Sequence, residues 1–224
     1  MDLRVEQTAL QDKVIADLRA VLRTDVKRAV IQGPTGFGKT AIAKAITKGG
    51  REKGSNVVFT VPLISLINQT ARSFWDDGLR EFGIMQASHE MTDPTQPIQI
   101  CSIDTLSRRG ERPLADFVIV DECHRNNEWL WKWMQDWKNT IFIGMSATPW
   151  TKGLGNHYQA LVKGPTTEEL ISLGMLSDFK VYAPDHPDLT GVRKTSGDYG
   201  PDYNQIDLAE AMNKDPLVAN IVDT

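Results

Sequence analysis

Gly33-Pro34-Thr35-Gly36-Phe37-Gly38-Lys39-Thr40 fits the phosphate-binding loop pattern G-x-x-x-x-G-K-[ST] at every fixed position. Its flanks fit the same motif. Ala29-Val30-Ile31 before it is a short apolar run with strand character, and Ala41 to Ile46 after it is rich in helix formers. A strand, a glycine loop and a helix are the context this motif needs. Glycines let backbone N–H groups turn inward around phosphate oxygens. The helix start adds its positive end. Gly33, Pro34, Thr35, Gly36, Phe37 and Gly38 would form the cradle. Lys39 would reach the terminal phosphates, and the Thr40 hydroxyl would hold Mg²⁺.

Bulk properties bound the rest. At 224 residues there is room for one large α/β domain and a little more. With 41% hydrophobic and 24% charged residues, the chain has the makeup of a globular domain. No apolar run is long enough to span a bilayer, and Met-Asp-Leu-Arg is no secretory leader, so a cytoplasmic setting is expected. Cys101 and Cys123 have no metal-type spacing, which points to reduced thiols. A net charge of −4 argues against a histone-like binder and leaves a local basic groove open.

Along the chain, strand and helix patterns alternate, which implies a mostly parallel sheet with helices on both faces. Residues 6–22 read as an amphipathic helix. Near its start stand Arg4 and Gln7. A glutamine amide can pair with the adenine edge, so Gln7 is a candidate selector for ATP. Strands are expected at Asn56–Val61, Gly83–Met85, Ile98–Ile103 and Thr140–Met145. Helices are expected from Ile64 to about Trp75, over Asp104–Arg109 and over Glu128–Lys138. In the last of these, Trp129, Trp133 and Trp137 share a face suited to core packing. Trp131 points elsewhere, toward solvent or a partner, with base stacking as the alternative.

Phe117-Val118-Ile119-Val120-Asp121-Glu122-Cys123-His124 is four apolar residues followed by paired carboxylates. That is a Walker B strand in pattern. It would deliver Asp121 to the ligand edge of the sheet to hold Mg²⁺, with Glu122 as general base toward the attacking water.

The tail reads differently. Leu154 to Gly164 is expected to be irregular. Thr166 to Glu169 offers a capping box for a short helix ending at Gly174. Phe179–Ala183 reads as a last strand, Pro184–Tyr203 as a long loop, and Asp215-Pro216 as the start of a final helix.

Taken in order, these motifs resemble the first RecA-like domain of superfamily 2 DExH/DEAD-type helicases, over most of residues 1–183. Leu3-Arg4-x-x-Gln7, Asp-Glu-Cys-His-Arg, Ser-Ala-Thr-Pro and the downstream Tyr158 to Leu176 segment are most similar to the RadD-like DNA-repair helicases and their phage relatives. The resemblance implies ATP and Mg²⁺ as ligands, with Arg4 and Gln7 in the nucleotide site. It implies that His124, Ser146 and Thr148 couple that site to nucleic acid. It further implies that Pro62, Leu63, Gln69, Thr105, Arg108 and Arg109 touch a nucleic-acid backbone, DNA in preference to RNA. Arg108, Arg109 and Arg112 form a basic cluster suited to phosphates.

Family members carry a second RecA-like domain with arginines that complete the ATP site. No second phosphate-loop unit is legible here. Residues 184–224 are therefore expected to lead toward such a domain, and this chain alone, as a monomer, is expected to turn over ATP poorly. Two other functions fit the same motifs: an ATPase subunit of a restriction or remodelling assembly that moves on duplex DNA, and a non-catalytic ATP-regulated module.

Overall fold

The computed structural model describes residues 3–86, 89–125, 127–179, 188–197 and 200–213, with the side chains of residues 3–6, Ser196, Gly197, Gly200 and Pro201 excepted. The chain divides into two compact units between Leu176 and Ser177.

In the first unit, seven strands form one sheet in the order β3-β4-β2-β5-β6-β1-β7, and every neighbouring pair is parallel. The strands are β1 (Arg28–Gln32), β2 (Val57–Val61), β3 (Phe82–Met85), β4 (Ile98–Ser102), β5 (Phe117–Asp121), β6 (Ile141–Ser146) and β7 (Ala160–Lys163). Alternate residues serve two cores. Ala29, Ile31, Val57, Phe59, Ile119, Ile143 and Met145 pack under α1 (Leu3–Leu22), α2 (Lys39–Arg51) and α3 (Ile67–Asp76). Val30, Val58, Val118, Val120 and Phe142 pack under α4 (Ile103–Arg109) and α5 (Glu128–Asp136). Burial on both faces is why these strands read as continuous apolar runs.

Helix boundaries follow local chemistry. Ser102 caps α4 by accepting from Thr105 N–H, and Gly110 ends it at φ 65°. Thr166 and Glu169 form the capping box of α6 (Thr167–Ser172). Trp133 is fully buried between Trp129 and Trp137, as the spacing predicts. Trp131 does not stand free. It is half-buried and lies flat on the His157 ring, centroids 4.0 Å apart.

Two further expectations are corrected. Within Leu154–Gly164 the structure has a 3-10 turn (Leu154–Asn156) and the edge strand β7. That strand exists because it pairs with β1, Ala29 opposite Ala160 through Gln32 opposite Lys163. Within Pro184–Tyr203, a hairpin of β8 (Lys194–Gly197) and β9 (Gly200–Tyr203) replaces the expected loop. Lys194 sits opposite Tyr203 with its ammonium 5.5 Å from the ring centre, a cross-strand pair that favours the register. Helix α7 (Gln205–Met212), capped by Asn204, follows and was not foreseen. The expected strand over Phe179–Ala183 and the helix from Asp215 fall largely or wholly outside the described residues.

Candidate active site

All seven strands run the same way, so their carboxyl ends share one edge. Five ends carry the motif residues. Gln32 leads into the phosphate loop, Asp121 ends β5, Ser146 ends β6, and Val61 and Ser102 lie side by side at the ends of β2 and β4. Open parallel sheets place ligands at this edge.

The phosphate loop is shaped by its glycines. Gly36 and Gly38 take left-handed φ values of 85° and 90°. Gly33 N–H donates to Ser146 O, which ties the loop to β6. A Cβ on Gly33 would stand 2.8 Å from the buried Phe37 ring, so Phe37 anchors the loop by packing while its backbone forms the cradle. Among the described residues, the N–H groups of Thr35, Gly36 and Gly38 have no backbone acceptor. Lys39 Nζ donates to Gly33 O at 3.1 Å, so the ammonium is held over the loop. Unpaired amides, an ammonium and a helix start fit a polyphosphate.

On the other side of β6, Asp121 is half-buried and its carboxyl is pushed up to about 6. Burial is the main cause and the neighbouring Glu122 charge the second, while the Lys39 ammonium pulls the other way. A carboxylate in that condition is one that a cation would relieve. Among the described residues no cluster of three or more His, Cys, Asp or Glu could hold a metal alone. One carboxylate and the exposed Thr40 hydroxyl are a fitting set for Mg²⁺, which keeps waters and takes phosphate oxygens. Thr40 and Asp121 would hold Mg²⁺, whose chemistry there is to neutralise phosphate charge.

Glu122 has φ 49°, the one non-glycine residue in the left-handed region among the described residues. That conformation costs about 1–2 kcal/mol. The next residue holds it. Cys123 is buried, its N–H donates to Met145 O, and a Cβ on Gly144 would lie 2.6 Å from its sulfur. Burial pushes the Cys123 thiol up to about 12, so it serves as a packed apolar anchor. His124 Nδ1 then lies 2.8 Å from Ser146 Oγ and 3.2 Å from Glu122 Oε2. Ser146 Oγ also accepts from Thr148 N–H at 3.0 Å.

The residues expected at nucleic acid lie farther along the same edge. Pro62 is half-buried, while Leu63 and Gln69 are exposed. Thr105 is half-buried on the Ser102 cap, and Arg108 is exposed on α4. The basic cluster is smaller than its sequence suggests. Arg109 lies 3.7 Å from Glu111, and Arg112 is bound to Asp136 at 2.8 Å and covers Trp129. Arg4 falls in the first turn of α1, and its side chain lies outside the described part.

Two residues escaped the sequence reading. Arg125 Nη1 donates to Pro62 O at 3.1 Å, which joins the turn after β5 to the end of β2. Gln11 Nε2 donates to Phe37 O at 2.9 Å beside Gln7, whose amide nitrogen reaches Phe37 O at 3.1 Å and Gly36 O at 3.3 Å. A second glutamine four residues after Gln7 was the available signal.

The family model for the type III restriction enzyme res subunit matches residues 2–151. This chain belongs to that family. Its fold is that of RecA-like helicase domains. A 51.5 kDa protein of a Lactococcus phage (isolate 7-9) is 26% identical over 175 residues, which are 76% of this chain and 36% of the phage protein. The res-family domain thus spans about a third of that curated relative. Solved structures share its fold. The UvsW helicase of bacteriophage T4 matches with TM-score 0.52 at 16% identity, over 61% of this chain and 54% of UvsW. A nuclease-deletion mutant of the Type ISP restriction-modification enzyme LlaGI, in complex with a DNA substrate mimic, matches with TM-score 0.58 at 17% identity, over 74% and 20%. The Hef helicase domain of Pyrococcus furiosus matches with TM-score 0.51 at 18% identity, over 70% and 37%. Among the described residues no helix is long and apolar enough to cross a membrane.

Proposed function

We propose that this chain is the ATP-binding half of an ATP-dependent DNA helicase or translocase. Lys39 and the loop amides bind the phosphates, and Thr40 and Asp121 are the metal ligands. Glu122 takes the proton of the attacking water. Residues 1–183 act as the first RecA-like domain, and a second such domain completes the site. The observation that carries this reading is the turn after β5. Its Glu122 faces His124, His124 meets Ser146, and its Arg125 grips Pro62. One short segment therefore touches both the hydrolytic carboxylate and a strand end assigned to nucleic acid.

A second reading has its own support. The res-subunit family and the likeness to LlaGI favour an ATPase that moves on duplex DNA inside a restriction assembly. Phosphate release by the full-length protein, with and without DNA, tests the shared part, with Lys39→Ala as control. DNA stimulation that Lys39→Ala abolishes supports a motor. Turnover without response to any DNA would overturn it. Strand displacement then marks a helicase, while triplex displacement without strand separation marks a duplex translocase.

A further inference from the structure

The phosphate loop is held from outside as well as within. Gln7 and Gln11 stand four residues apart on α1, so their amides share one face. Both donate to Phe37 O, Gln11 at 2.9 Å and Gln7 at 3.1 Å. A carbonyl oxygen has two lone pairs, so two donors saturate it. The peptide between Phe37 and Gly38 is trans, so its N–H points opposite to its C=O. Pinning Phe37 O against α1 therefore turns the Gly38 N–H away from α1, into the loop. A Cβ on Gly38 would stand 2.5 Å from Gln11 Nε2, so this contact and the φ of 90° both call for glycine there.

We infer that Gln11 is a positioning residue for phosphate binding, fixing the Phe37–Gly38 peptide so that its N–H faces the polyphosphate. The inference rests on the nucleotide-site reading above. The Gln11 amide is used on the loop, so its influence falls on phosphates and is blind to the base. That separates it from the base-reading role expected of Gln7.

The test compares binding of ATP, GTP and inorganic tripolyphosphate to the parent protein, Gln11→Leu, Gln11→Glu and Lys39→Ala. Gln11→Leu should weaken all three by a common factor of about three to ten, the size of one hydrogen bond. Gln11→Glu should weaken them more, because a carboxylate repels the Phe37 carbonyl. In steady-state hydrolysis Gln11→Leu should raise KM and leave kcat within about twofold, since the loop grips ground and transition states alike. If Gln11→Leu fails to fold, Gln11→Met keeps the unbranched stem and replaces it. Parent-like binding by a folded Gln11 variant would overturn the inference and leave the site reading intact. So would a loss confined to ATP. A parent that binds none of the three, as weakly as Lys39→Ala, would overturn the site reading and the inference with it.

Discussion

His124 Nδ1 lies within hydrogen-bond distance of Ser146 Oγ, 2.8 Å, and the same nitrogen lies 3.2 Å from Glu122 Oε2. The tautomer of His124 sets which of Nδ1 and Ser146 Oγ donates to the other, while Ser146 Oγ accepts from Thr148 N–H. The carboxylate after β5 is thereby linked to the backbone after β6 through one imidazole and one hydroxyl.

This linkage predicts the behaviour of Ser146→Ala. Removing the hydroxyl takes away the acceptor of Thr148 N–H, and since Thr148 is exposed the cost in stability should be about 0.5–1.5 kcal/mol. The Glu122 carboxylate, proposed as the general base, is untouched. Basal ATP hydrolysis should stay within about threefold of the parent while stimulation by DNA falls; the measurement is phosphate release with and without DNA. Parent-like stimulation would show that the hydroxyl is not part of the coupling path.

On the roles proposed above, the carboxylates of Asp121 and Glu122 should separate cleanly. Glu122→Gln would then remove the base and spare the metal ligand, so Mg²⁺-dependent ATP binding should persist while hydrolysis drops about 10²-fold or more. Asp121→Asn should weaken the Mg²⁺-dependent part of binding instead. Hydrolysis at the parent rate by Glu122→Gln would end the general-base assignment.

Gln7→Ala should weaken ATP binding by about 1–3 kcal/mol if the amide reads adenine, and the parent should prefer ATP to GTP. Its nitrogen already reaches two loop carbonyls. Part of the loss should therefore appear with GTP as well. Equal affinity of the parent for the two nucleotides would exclude base reading.

How legible the site was depends on what fixes each part. The loop Gly33–Thr40 and Asp121–Glu122 announce themselves because phosphate and metal chemistry demand fixed residue types after buried strands. Strand β7 carries no such demand. Ala160 to Lys163 is short and half exposed, and becomes a strand through its partner β1. The hairpin at Lys194–Tyr203 is masked by its Gly, Pro and Asp content, though its cross-strand pair supports it. Arg125 on Pro62 and Gln11 on Phe37 span 63 and 26 residues of sequence. No local pattern encodes such contacts. Arg108, Arg109 and Arg112 cluster in sequence, but the Asp136 that meets Arg112 lies 24 residues on and no local pattern announces it.

Gly144→Ala tests the anchor beneath Glu122. The added methyl would meet Cys123 Sγ at 2.6 Å and the Tyr158 ring carbon at 2.9 Å. Neither can retreat, because both are buried in the same core. Overpacking of this kind costs about 1–3 kcal/mol. Thermal denaturation should show the loss. Hydrolysis should fall even well below the melting temperature, as Cys123 shifts and carries Glu122 with it. A variant with parent Tm and parent kcat would show that the packing around Cys123 can yield.

The second unit offers a pH-dependent contact of its own. The Asp207 carboxylate accepts from Arg193 Nε at 2.7 Å, from Nη2 at 2.8 Å and from the Arg193 backbone N–H at 3.2 Å. The side-chain bonds from Arg193 are the main reason its carboxyl is held down to about 2. A folded value below the unfolded one means the contact contributes fully above about pH 4. It is lost as pH falls toward 2. The pair is a surface one, so the effect should be local. It joins the residue before β8 to the first turn of α7, where a carboxylate also suits the helix start. The Arg193 Nε–H signal should therefore stay protected from exchange at neutral pH and lose protection between about pH 4 and 2. Asp207→Asn should remove that protection at every pH and leave the melting of the first unit unchanged. Protection that persists at pH 2, or in Asp207→Asn, would show that something other than this carboxylate holds the arginine.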